Sequence, residues 1–298
     1  MHNPGNNTVT PTCVNPQKPI IHLIFLLLLL PAGGIQLSIK QITSGENPMS
    51  DLSGKSVWIT GAGSGIGEAI AKSLAAGGAH VALSARREET LRQVADDIAA
   101  SGGKVEIYPL DISDSDKVFE TVAKIKSALG KIDVLINCAG VNTPKRHWRD
   151  LDIKDWQRIV AVNLNGVANT VCATLPLMRD QQDGLIINIA SWAAKHEFPV
   201  AGPAYIASKR GVVDLSHSIN QEELHNNIRC CCISPGEVAT PILQQRPVPI
   251  QQEELDRVLK PSDLAEIVTY VVGAPMRVCF NEIVMSPTYN RTLIPIQP

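Results

Sequence analysis

Thr60-Gly61-Ala62-Gly63-Ser64-Gly65-Ile66-Gly67 is a glycine-rich turn between an apolar run over residues 56–60 and an amphipathic segment that continues through 68–74 to Gly77-Gly78. Glycines here let the chain turn sharply and let a pyrophosphate approach the first turn of the following helix. There the unpaired N–H groups and the helix dipole favour negative charge. Gly61, Ser64, Gly65, Ile66 and Gly67 are the candidate cofactor contacts of this turn. Its first two key glycines are separated by three residues, so the spacing is not that of GxGxxG. Strand, glycine turn and helix begin a βαβ unit, which predicts an α/β fold: a Rossmann-like, doubly wound parallel sheet with helices on both faces.

The rest of the chain keeps that alternation. Short apolar runs over 80–84, 105–110, 132–136, 185–190, 228–233 and 278–285 read as strands. Longer segments over 88–100, 114–129, 155–178, 203–225, 253–259 and 261–272 read as helices, several of them closed by glycine. No internal repeat interrupts the series after Met49, so residues 49–298 read as one catalytic domain.

Composition is globular, with 44% hydrophobic and 19% charged residues, enough apolar material for a core. A formal net charge of -2 offers no basic field for nucleic acid, which is set aside as a partner. The seven cysteines show no metal-ligand spacing, and the run Cys230-Cys231-Cys232 reads as small buried hydrophobes of a strand in a reduced compartment. No metal is expected.

Residues 1–48 differ in character from the rest of the chain. An apolar run over 20–30, closed by Pro31-Ala32-Gly33-Gly34, is too short to span a bilayer, which takes roughly 20 residues. It fits a secretory signal, a weak anchor, or a translated extension with no folded role. The third is preferred because Met49 opens a self-sufficient domain, and because export would remove the protein from the soluble nicotinamide pool. A cytoplasmic location without membrane attachment is the corresponding expectation.

At the end of the second strand stand Ser84-Ala85-Arg86-Arg87, with no acid before Glu88. Asp or Glu at this place holds a ribose 2′-hydroxyl, whereas Arg suits a 2′-phosphate, so Arg86 and Arg87 favour NADP(H) over NAD(H). Further on, Tyr205 and Lys209 in Tyr205-Ile206-Ala207-Ser208-Lys209 are four apart and share a helix face. The ammonium is expected to lower the phenol's pKa and make Tyr205 a proton donor.

These features together resemble the classical short-chain dehydrogenases/reductases from about residue 51 to 288. The family's TGxxxGIG turn is matched by residues 60–67, its Asn-x-Ala-Gly motif by Asn137-Cys138-Ala139-Gly140, and its Pro-Gly motif by Ser234-Pro235-Gly236. Its tetrad is matched by Asn163, Ser191, Tyr205 and Lys209. The resemblance implies that Tyr205 is the general acid/base and that Lys209 holds the nicotinamide ribose. It gives Ser191 the substrate oxygen to stabilise, and Asn163 a water that continues the proton relay. It further assigns Asp111 and Ile112 to the adenine, Asn137, Ala139 and Gly140 to the cofactor cleft, and Pro235, Gly236, Val238 and Thr240 to the nicotinamide and pyrophosphate end.

The implied reaction interconverts a small carbonyl and a secondary alcohol by hydride transfer, in a homodimer or homotetramer. A catalytically silent NADP-binding or redox-sensing module of the same fold is the alternative. Two departures from the pattern stand out. Cys138 replaces the second Asn common in the family, and Ser191 precedes Tyr205 by fourteen residues, one more than usual, an excess that the 198–203 loop can absorb. The substrate pocket is expected from 141–150, 192–198 and 241–259, with Trp148, Trp192 and Phe198 as apolar surface. Lys145, Arg146, His147 and Arg149 read as a solvated face more readily than as an anion site.

Overall fold

The structure is a computed structural model that describes residues 51–246, 251–290 and 293. The expectations for residues 1–48 therefore lie outside the described residues. The described chain falls within one compact unit, Asn47–Pro298.

Seven parallel strands form a single sheet in the order β3-β2-β1-β4-β5-β6-β7. They are β1 (Ser56–Thr60), β2 (His80–Ala85), β3 (Lys104–Pro109), β4 (Val134–Asn137), β5 (Gly184–Ile189), β6 (Ile228–Pro235) and β7 (Glu282–Met285). The helices are α1 (Gly65–Ala76), α2 (Glu88–Ala100), α3 (Ser115–Leu129), α4 (Ile153–Val160), α5 (Gly166–Gln181), α6 (Pro203–Glu222), α7 (Gln252–Leu255) and α8 (Pro261–Gly273). The strand order reverses between β1 and β4, so their carboxyl ends open a crevice where ligands of doubly wound sheets bind.

Side-chain alternation divides the core in two. Val57 and Ile59 of β1 pack with Ile70 and Leu74 of α1, Leu91 and Val94 of α2, and Leu264 and Val268 of α8. Trp58 points to the other face, with Val118 and Ile125 of α3, Val167 and Met178 of α5, and Val212 of α6. The cysteine run obeys the same rule: Cys231 joins the first cluster, Cys230 and Cys232 the second, and all three are buried. The stretch Ile153–Gln181 is long and apolar enough to cross a membrane by length and composition, but half of its most apolar window is buried inside the fold.

Several boundaries differ from the sequence reading. The expected helix over 155–178 is two α-helices joined by a π-helical turn, Ala161–Asn165, in which Gly166 N–H reaches back to the Ala161 carbonyl. The helix expected over 253–259 shrinks to the four residues of α7, and the last strand to the four of β7, those in register with Cys232–Pro235 of β6. The extra residue between Ser191 and Tyr205 is taken up by two 3-10 turns, Trp192–Ala194 and Pro199–Ala201.

Candidate active site

The glycine turn leaves β1 at Thr60, whose hydroxyl accepts Cys138 N–H at 3.3 Å and Ala139 N–H at 3.4 Å and so ties the β1 and β4 carboxyl ends together. The backbones come so close that a Cβ on Gly61, itself at φ 70°, would lie 2.6 Å from the Ala139 nitrogen. Across the cleft, a Cβ on Gly65 would lie 3.0 Å from the Thr240 methyl, so only a bare backbone leaves room there. Gly61, Ser64, Gly65 and Ile66 line a cavity of about 400 Å³, which continues past Arg86, Arg87, Asp111 and Ile112 at one end. Ala139, Gly140, Pro235, Gly236, Val238 and Thr240 line the same cavity, which reaches Ser191, Tyr205 and Lys209 at its other end.

Three sequence candidates do not line it. Gly67 packs its backbone against the Gly61 carbonyl. Asn137 is buried, accepting from the Thr170 hydroxyl at 2.7 Å and donating to Asn188 Oδ1 at 2.9 Å, so it braces β4 against β5 and α5. Asn163 is fully buried in the π turn. Its amide is taken up by Val141, accepting from the N–H at 2.8 Å and donating to the carbonyl at 3.0 Å, with Ser208 Oγ at 3.3 Å. Asp111, which does line the cavity, accepts the Ser113 N–H at 3.0 Å, and the cap of α3 is Asp114, which accepts the Lys117 N–H at 3.2 Å.

Lys209 is buried and its ammonium donates to the Ile189 carbonyl at 2.8 Å. Burial lowers its pKa to about 8. Cys138 beside it is pushed up to about 12 by desolvation and stays a thiol. The Lys209 nitrogen lies 5.9 Å from the centre of the Tyr205 ring. The expected lowering of the phenol is not the net result. Desolvation raises the Tyr205 pKa, and it outweighs the Ser191 hydrogen bond and the nearby charges of Arg146 and Arg246, which act the other way. Tyr205 is thus protonated at neutral pH. Ser191 Oγ also accepts the Ala193 N–H at 3.2 Å, which fixes its rotamer at the β5 end.

The pocket walls differ from expectation. Trp192 and Phe198 line the cavity, but Trp148 is 75% exposed and stacks on Trp156. The basic loop is not uniformly solvated. Lys145 and Arg149 are exposed, whereas Arg146 is 5% exposed and lines the cavity. Arg246, ion-paired with Glu237 and 5.8 Å above the Phe198 ring, also faces it, and neither Arg246 nor Glu237 carried a periodic or motif signal in the sequence.

The short chain dehydrogenase family model matches residues 55–249. The chain belongs to the short-chain dehydrogenase family. It is an oxidoreductase by that kinship. An uncharacterized oxidoreductase of Staphylococcus aureus (strain MW2) is 35% identical over 80% of this chain and all of its own length. Glycine betaine reductase of Emericella nidulans is 34% identical over 84% of this chain, which spans 20% of that much longer protein. Among solved structures, a metagenomic short-chain oxidoreductase in complex with NADP superposes with a TM-score of 0.70 at 33% identity, covering 80% of this chain and 99% of that one. An alcohol dehydrogenase from the archaeon Thermococcus sibiricus, complexed with 5-hydroxy-NADP, gives a TM-score of 0.72 at 30% identity, over 80% and 98%.

The residues present fit such a dinucleotide. The cradle has no room for a Cβ at Gly61 or Gly65, and Arg86 and Arg87 are exposed at the cavity with no ion-pair partner among the described residues. The carboxylate that could repel a 2′-phosphate, Glu88, is occupied by Arg92 at 3.1 Å.

Proposed function

We propose that this protein interconverts a small carbonyl compound and its secondary alcohol, with NADP(H) favoured over NAD(H). The observation that carries the reading is convergence. The Ser191 hydroxyl, the Tyr205 phenol and the Lys209 ammonium meet at one end of the cavity whose other end holds the glycine turn and the two arginines. Arg86 and Arg87 would take the 2′-phosphate, and the α1 N-terminus with Ser64 and Gly65 the pyrophosphate.

A bound nicotinamide supplies or accepts the hydride. Everything else falls to the chain. Tyr205 gives its proton to the carbonyl oxygen during reduction, and Ser191 stabilises the charge that develops on that oxygen. Lys209 holds the ribose and keeps a positive charge near the phenol. Asn163 acts by fixing the Val141 backbone beside the cleft, and any relay water it holds is held through its main-chain carbonyl, since its amide is occupied. A Tyr205 that is protonated at neutral pH is ready to act as the acid of the reducing direction. A homodimer or homotetramer in the cytoplasm remains part of the proposal.

The test is a panel of aldehydes, ketones and secondary alcohols assayed in parallel with NADPH and NADH by absorbance at the nicotinamide band. Turnover with NADPH favoured is expected, and Tyr205→Phe is expected to lose roughly 100- to 10,000-fold in kcat while still binding NADPH. Near-normal turnover in that variant would sink the assignment. NADPH binding without turnover of any panel member would favour the silent module.

A further inference from the structure

We infer that the substrate's carbonyl is conjugated to a flat ring, an aryl ketone with its benzylic secondary alcohol, and that this ring stacks on Trp192 beside Ser191. This deepens the carbonyl/alcohol reading and rests on it.

Trp192 directly follows the serine that would hold the carbonyl oxygen, so its indole belongs to the residue next to the oxygen site. The turn that carries it is held by its own backbone. Ser191 Oγ accepts the Ala193 N–H at 3.2 Å, and the Ala194 N–H returns to the Ser191 carbonyl at 2.9 Å. The N–H groups of Lys195 and His196 both reach the Trp192 carbonyl, each at 3.0 Å. At the exit of the turn the Lys195 ammonium lies 2.8 Å from a Glu282 carboxylate oxygen, which ties the loop to the start of β7.

The indole is fixed as well as its backbone. The His196 ring lies on it, with ring centres 3.8 Å apart and planes inclined by 24°. His196 is itself exposed, so what the stack achieves is orientation of the indole. One face of the indole is thereby taken by protein. Trp192 still lines the cavity and stays part-exposed, so it offers a ligand its other face and its edge.

The rest of this end of the cavity points the same way. Phe198, Val200, Ile242 and Leu243 give it apolar walls. Asn142, Arg146 and Arg246 share these walls, but each is committed within the protein. The Asn142 amide donates to the Ala201 carbonyl at 3.0 Å and accepts the Thr143 N–H at 2.8 Å. Arg146 Nε donates to the Thr143 carbonyl at 2.6 Å and the side chain is engaged elsewhere as well, while Arg246 is paired with Glu237. Recognition beyond Ser191 and Tyr205 therefore falls to shape and stacking. A flat π-system gains from tryptophan an attraction that a saturated ring of the same size does not. Conjugation also keeps the carbonyl in the plane of its ring, so a ring laid on Trp192 presents the oxygen in one orientation. In reduction the carbonyl carbon gains the hydride that NADPH loses, its oxygen gains the Tyr205 proton, and the ring keeps its bonds throughout.

The full-length protein is assayed with NADPH on acetophenone and on cyclohexyl methyl ketone, which differ in the flatness of the ring and little in size. Their carbonyls differ in intrinsic reactivity, so the quantity read is how the ratio of their kcat/KM values changes between proteins. Trp192→Leu should lower the phenyl-to-cyclohexyl ratio by roughly 2- to 10-fold, the range of one aromatic pair, and Trp192→Phe should keep much of it. His196→Ala should lower it in the same direction, although that ring lies on the face of the indole away from the ligand. Calorimetry on the NADP-loaded protein, with benzamide against cyclohexanecarboxamide, reads the platform without turnover, and benzamide should bind more tightly. Binding of NADPH is the folding control; where Trp192→Leu loses it, His196→Ala decides.

A ratio that Trp192→Leu and His196→Ala leave unchanged overturns the inference. If no carbonyl is turned over yet benzamide is preferred in a Trp192-dependent way, the reaction falls and the stacking platform stands. If carbonyls are turned over but benzamide binds no better than its saturated counterpart, the reaction stands and the platform falls.

Discussion

At Lys209 stability and function pull against each other. The side chain is buried, and desolvation brings its pKa to about 8, roughly 2.5 below the ordinary lysine value. At neutral pH the folded protein therefore holds a charge it would rather lose, at a cost on the order of 3 kcal/mol. The folded pKa lies below the unfolded one, so this cost is felt in full below pH 8 and relaxes as pH rises from 8 towards 10.5. Lys209→Met should raise the thermal midpoint of the cofactor-free protein at pH 7 by several degrees while removing activity, and the gain should fade in scans above pH 10. In the same way, reduction should decline as pH rises through about 8, where the ammonium beside Tyr205 is lost, and Lys209→Arg should abolish that limb. A midpoint that falls in Lys209→Met would show that the Ile189 hydrogen bond outweighs desolvation.

The elements around the site explain why it keeps its geometry. The π turn at Ala161–Asn165 places a fully buried asparagine against Val141, so α4 and α5 set the position of the loop after β4. At the entry of α6, Gly202 is the one position of the 198–203 loop that takes a left-handed φ, and its neighbour is backbone, which cannot move aside. Gly202→Ala should cost about 1–3 kcal/mol and displace the Arg146 segment, which urea denaturation would register. The extra residue between Ser191 and Tyr205 is legible as a count, but its accommodation in two 3-10 turns depends on packing against the Asn142–Arg146 segment and has no local signature.

On the scale of the whole molecule, the sheet order brings together side chains from most of its length. Arg86 follows β2, Ser191 follows β5 and Thr240 follows β6, yet all line one crevice because parallel strands present the same ends. A ligand in that crevice stabilises the fold as a unit by mass action, about 2.7 kcal/mol at a hundredfold excess over Kd. NADPH should raise the thermal midpoint more than NADH at equal concentration, and Arg86→Ala with Arg87→Ala should remove the difference. Equal shifts in the wild type would show that the arginines make no productive contact with a 2′-phosphate.

The parallel αβ alternation, the glycine turn and the Tyr205-to-Lys209 spacing are local patterns, and the sequence determined them because period, turn chemistry and helix geometry act within a few residues. The tertiary structure decided what depends on neighbours distant in the chain. It turned the Asn137 and Asn163 side chains into braces instead of cavity-lining groups, and it raised the Tyr205 pKa where the amine alone would lower it. It also buried Arg146 out of a loop whose composition looks solvated. Burial and charge balance are sums over the whole surroundings, and no window of sequence contains them. For that reason the glycine turn at residues 60–67 declares the fold on its own, while the burial of Arg146 emerges only when Gly202 is packed against it.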